Sequence, residues 1–117
     1  MDRAALISRV LDLDRSVRYV AIGSGQTVVS LQREDVSDAS AGESDRYEEL
    51  LVNPTLLLLA RQRGEIDCGG LDFVIVAYGS FYQLVMPIDA GHISVCVEKD
   101  GDPIALAPRV GALVHGI

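Results

Sequence analysis

Between Leu71 and Glu98 three apolar, β-rich runs follow one another with connections of only two and three residues. The runs are Leu71 to Tyr78, Phe81 to Ile88 and His92 to Glu98, joined by Gly79-Ser80 and by Asp89-Ala90-Gly91. Connections this short force antiparallel neighbours, because a parallel pair needs a crossover of about a dozen residues or more. The chain must contain a meander, and its other segments must cover it. In the first run Leu71, Phe73, Ile75 and Ala77 line one face and Val74, Val76 and Tyr78 the other, so both faces are apolar. Such a sheet needs a layer on each side.

The remaining segments supply those layers. From Ala5 to Val17, Leu6, Val10, Leu13 and Val17 recur at helical spacing, widened by Ile7 and Leu11, with Arg3, Arg9, Asp12 and Arg15 opposite. This spacing predicts an amphipathic first helix. Val17 to Ile22 and Gln26 to Gln32 flank Gly23-Ser24-Gly25, which predicts a β-hairpin. A phosphate-binding glycine loop would lead into a helix, whereas Thr27-Val28-Val29 continues as strand. Glu34 to Asp45 is polar, and from Glu34 through Glu49 there are seven carboxylates, without the alternating register of a calcium loop. We expect a solvated linker there. Asp45 is placed to cap a helix beginning at Arg46, with Glu48 as the return partner of a capping box. Asn53-Pro54 reads as a cap and a first-turn proline, so one short helix ends at Leu50 to Val52 and another begins at Thr55. Leu56 to Ala60 is apolar all round, Arg61 and Arg63 follow, and Gly64 is the expected stop. Asp102-Pro103 opens a last helix with Ile104, Leu106, Val110, Leu113 and Val114 inward, which Pro108 should kink or break.

At 117 residues this is one domain, 1–117. Seventeen acidic against ten basic residues give a net charge of −7, which repels phosphate backbones and anionic headgroups, so neither nucleic acid nor a membrane surface is an expected partner. No apolar run reaches the 18 or so residues of a span, and the Met-Asp-Arg-Ala start lacks the form of a secretory signal, so a cytoplasmic location is expected. Cys68 and Cys96 lie 28 positions apart with no second ligand nearby, matching neither a zinc site nor a redox pair, and are expected to be packing residues. His92 and His115 are the only imidazoles. Neither stands at a motif spacing from a nucleophile or carboxylate, so they read as a strand-edge donor and an end side chain, and no enzyme, cofactor or metal site is expected. Tyr78, Phe81 and Tyr82 are expected to pack across their hairpin.

The elements add up to an α+β fold in the order α-β-β-α-β-β-β-α, a five-stranded antiparallel sheet with helices on both faces. With Tyr19 to Gln32 as first hairpin, Pro54 to Gly64 as second helix and Leu71 to Glu98 as meander, the order resembles the roadblock/LC7 family of small regulatory domains, similar to profilin-like folds. The resemblance implies a homodimer or heterodimer in which the strand corresponding to Leu71 to Tyr78 pairs with its copy and the second helices pack together. It further implies a non-enzymatic platform for small Ras-like GTPases or motor complexes, some bacterial members regulating a polarity GTPase. The residues lean the same way, since a strand apolar on both sides without proline or lysine is an open template, and an all-apolar helix wants a second partner. The expected interface comprises Leu57, Leu58, Val74, Val76 and Tyr78, with at least one of the two leucines turned away from its own sheet. The alternative is a small-molecule sensing module of profilin-like or PAS-like type, with the ligand held between sheet and helix.

Overall fold

A computed structural model describes residues 2–114. Helix α1 (Arg3–Leu11) starts where the Asp2 carboxylate accepts the backbone N–H of Ala5 at 2.7 Å, and it buries Leu6, Ile7, Val10 and Leu11. It stops at Leu11 rather than running to Val17. Asp14 accepts the backbone N–H of Ser16, turning the chain, and the Arg33 guanidinium donates to the Leu11 carbonyl at the helix end and to the Asp14 carbonyl in the turn beyond it. Val17 instead begins strand β1 (Val17–Ser24), which pairs with β2 (Thr27–Gln32). Their two-residue turn, Gly25-Gln26, needs positive φ at its first position, and Gly25 has φ 61°.

The next helix departs from its expected outline. Helix α2 (Gly42–Tyr47) begins four residues before Arg46, with no side-chain cap, so Asp45 lies inside it and Glu48 bonds elsewhere. Early carboxylates, here Glu43 and Asp45, suit the positive end of the helix dipole. No break follows at Asn53-Pro54. A π-helical turn, Glu48–Val52, carries the chain directly into α3 (Asn53–Asp67), the Asn53 N–H reaching back to the Glu48 carbonyl. Proline lacks the N–H an α-turn would use, and a widened turn is one way for a helix to pass it.

Helix α3 also passes Gly64, its expected stop, and runs to Asp67. Termination belongs to Gly69 and Gly70, at φ 80° and 93°, while the Gly64 carbonyl accepts the N–H of both Cys68 and Gly70 at 3.0 Å. Gly64 serves close approach: a Cβ there would lie 2.7 Å from the Gly70 carbonyl oxygen. Helix propensity alone would make Gly64→Ala stabilising by up to about 1 kcal/mol. Because the obstacle is backbone, we expect instead a loss of about 1–3 kcal/mol, read from urea midpoints. A stabilised variant would show that the Gly69-Gly70 segment gives way.

Strands β3 (Val74–Ala77), β4 (Phe81–Ile88) and β5 (Gly91–Glu98) form the meander, and the antiparallel sheet is ordered β2-β1-β5-β4-β3. β3 is shorter than its apolar run, pairing only from Val74 opposite Val85. One sheet face carries Val20, Ile22, Leu84, Ile93 and Val95 against α1 and against Leu106, Ala107 and Val110 of α4 (Pro103–Val114). Asp102 caps α4, accepting from the N–H of Ile104 and of Ala105 at 3.1 Å each. Pro108 does not break it. Both Pro108 and Ile104, whose carbonyl loses its N–H, lie on the exposed side of the helix, where the lost bond is least costly. The second face carries Tyr19, Ala21, Gln83, Ser94 and Cys96 beneath the helical segment 42–67.

Candidate functional site

The second face is where the chemistry lies. Successive residues of a strand point to opposite sides, so β5 sends Ile93, Val95 and Val97 into the apolar core and His92, Ser94 and Cys96 to the other face. Gln83 stands opposite Cys96 on β4. Above them the π-turn points Glu49 at the sheet, with Asn53 beside it, and all six residues are buried.

These groups form a directed chain. The Cys96 thiol donates to Gln83 Oε1 (2.8 Å), Gln83 Nε2 to Ser94 Oγ (2.9 Å), and the Ser94 hydroxyl to Glu49 Oε2 (2.7 Å). Glu49 Oε1 accepts from Asn53 Nδ2 at 3.0 Å and meets His92 Nε2 at 2.8 Å. Donors thus converge on one carboxylate, an arrangement that strengthens each bond and fixes the orientation of the Gln83 amide. Asn53 Oδ1 is buried without a hydrogen-bond partner among the described residues.

The order of these groups is unsuited to nucleophilic catalysis. In a hydrolytic triad the imidazole stands between hydroxyl and carboxylate, whereas here the carboxylate stands between Ser94 and His92. Ser94 is fully buried, and burial, reinforced by the Glu49 charge, pushes the Cys96 thiol well up, so it stays protonated. His92 is not the strand-edge donor expected from its position but an interior ligand of Glu49, and His115 lies outside the described residues. Among the described residues, no group of three or more His, Cys, Asp or Glu side chains is placed to hold a metal ion.

Beside the network a pocket of about 480 Å³ opens between α2 and the strands. Tyr19, Tyr78, Phe81 and Cys96 provide its walls, and Glu43, Asp45, Glu48 and Glu49 its carboxylates. The Tyr78 hydroxyl donates to Glu48 at 2.9 Å, and its ring meets Phe81 with centroids 5.5 Å apart, so this hairpin pair packs as expected. Burial, then the Glu48 contact, pushes the Tyr78 phenol up to about 12. Glu48 is raised by burial and by the Glu49 and Asp45 charges, against the lowering effect of the Tyr78 bond. Asp45 is raised by burial and by Glu49.

The fold matches solved structures. A roadblock/LC7 domain from Streptomyces avermitilis superposes with a TM-score of 0.75 at 18% identity, over 97% of this chain and 92% of that one. The chain has the roadblock/LC7 fold. The gliding protein MglB from Thermus thermophilus gives a TM-score of 0.67 at 9% identity, over 95% of this chain and 84% of that one. MglC from Myxococcus xanthus gives 0.57 at 16%, over 96% and 98%. An MglB structure with a tetrameric arrangement also matches, with a TM-score of 0.66 at 11% over 95% and 84%. No known family profile and no curated protein matches the sequence.

Within this roadblock/LC7 fold the five expected interface residues separate. Val74 and Val76, both half-buried, lie on β3, an end strand paired among the described residues with β4 alone, and Tyr78 follows them. Leu57 is 5% exposed, packed beneath α3, whereas Leu58 is 55% exposed on the outer side, with Leu59 and Ile66 also exposed. Among the described residues no helix is long and apolar enough to cross a membrane. Missing from the sequence expectations is the buried Glu49 network, although His92, Ser94 and Cys96 at alternate positions opposite Ile93, Val95 and Val97 already announce a polar interior face.

Proposed function

We propose that residues 1–117 act as a single-domain, non-enzymatic regulator or scaffold, a homodimer in the cytoplasm whose partner is a small Ras-like GTPase. The observation that carries this reading is the free edge of β3. Val74 to Ala77 offer unpaired backbone N–H and C=O groups flanked by apolar side chains, with no proline, lysine or bulge to deter pairing. Pairing with a second copy removes that edge and continues the sheet. The exposed leucines of α3 add apolar surface to such an interface. The fold supports the reading through its likeness to a roadblock/LC7 domain and to MglB, one form of which is solved in a tetrameric arrangement. Sedimentation at micromolar concentration is expected to show a species of about twice 12.6 kDa. A clean monomer would remove the dimer. GTPase partnership is tested separately, by identifying the chains that co-purify from the source cells and measuring whether one of them changes its GTP hydrolysis rate on addition of this protein.

A further inference from the structure

We propose that the pocket beneath α2 binds an organic cation, a guanidinium, amidinium or ammonium head carried on a flat or apolar body. Its size of about 480 Å³ falls within the range of small-ligand sites. Three aromatic side chains, Tyr19, Tyr78 and Phe81, line it, with Tyr47 exposed at the rim. Phe81 already receives one guanidinium, since Arg18 Cζ lies 5.0 Å from its ring centroid.

The charge balance selects the sign of the ligand. Glu43, Asp45 and Glu48 line the pocket, and among the described residues no lysine or arginine stands within ion-pair distance of any of them. Arg18, the nearby base, is already held by Asp38 at 3.0 Å and Glu98 at 2.9 Å. Burial and the neighbouring Glu49 charge raise both Asp45 and Glu48, against the lowering effects of Arg18 on Asp45 and of the Tyr78 bond on Glu48, and an entering cation lowers the cost of ionising them. An anion would meet those carboxylates directly, and no three-ligand group suited to a metal is present among the described residues. Aromatic side chains beside carboxylates that have no ion-pair partner are the chemistry that holds a cation on an apolar body. The pocket's carboxylates are not among the proposed interface residues, although its wall residue Tyr78 is one of them.

The test uses benzamidine and its uncharged isostere benzamide, followed by amide chemical shifts of the full chain. Benzamidine is expected to shift Tyr19, Gln83 and Cys96 saturably, and benzamide to bind at least about tenfold more weakly. Combining Asp45→Asn with Glu48→Gln should weaken benzamidine binding about tenfold or more while the spectrum stays that of a folded chain. If that variant does not fold, Phe81→Leu, which leaves every carboxylate in place, should weaken it through the lost π face. Equal binding of benzamide, shifts confined to other residues, or no saturation at millimolar concentrations would each overturn the proposal. Agmatine and a capped Gly-Arg-Gly peptide then distinguish the source. Tighter agmatine binding indicates a free amine or guanidine, and tighter peptide binding an arginine presented by another protein.

Discussion

Leu58→Glu is expected to yield a folded monomer, whereas Leu57→Glu, one position earlier, is expected to unfold the chain. The two residues are chemically identical and differ in what covers them. Leu58 is 55% exposed, so in an isolated subunit a carboxylate there stays hydrated, and only association would bury it. Burying it unpaired costs several kcal/mol, and each 1.4 kcal/mol weakens association about tenfold. Sedimentation should therefore fall from about twice 12.6 kDa to the single-chain mass, with the chain still folding cooperatively and its melt lowered only by the lost contribution of association. Leu57, 5% exposed, has no such freedom. The substitution removes a buried leucine, worth about 2–5 kcal/mol, and desolvates a charge besides, against a total stability of about 5–15 kcal/mol for a domain. A Leu58→Glu chain that remains dimeric would show that the outer side of α3 is not the interface.

Glu49→Ala is expected to cost about 3–5 kcal/mol, far more than a solvent-facing glutamate would. Its carboxylate is the common acceptor for Ser94 and Asn53 and the partner of His92, all buried. Alanine leaves these buried groups without their protein partner, each at about 1–3 kcal/mol with overlap between them. Glu49→Gln keeps the shape and one acceptor oxygen, so its loss should be about half as large or less. Urea denaturation of both variants measures the difference, and amide exchange should quicken first across residues 48–53, where the carboxylate pins the π-turn to the sheet. If alanine is tolerated as well as glutamine, the network contributes nothing to holding the helix in place.

The meander and hairpin were legible because connection length leaves few choices: Phe81 to Ile88 is a strand at both of its expected ends, and Gly25 sits in the turn between β1 and β2. Asp102 capped its helix as its position promised, since no tertiary group competes for it. Asn53 has the same capping chemistry and misled. Its side chain found a buried carboxylate four residues earlier, a partner that short-range rules do not see. The apolar count on the first strand run was likewise sound for β3 but did not extend to β5, where His92, Ser94 and Cys96 face Glu49 instead of a hydrophobic layer. Of the two outcomes expected at Pro108, a kink or a break, the break does not occur: α4 runs through the exposed proline.

The π-turn sets the two halves of the 42–67 helix out of phase. Wound as a regular α-helix, the same residues beyond Val52 would advance by about 100°, bringing Leu56 toward the sheet in place of Leu57 and Leu57 to the outward position of Leu58. The turn absorbs one surplus residue and leaves both faces where the sheet and the solvent require them. A chain with this fold and one residue fewer between Glu48 and Asn53 would therefore present the same surfaces, and an alignment without a gap at that point would pair inward residues with outward ones along the whole of α3.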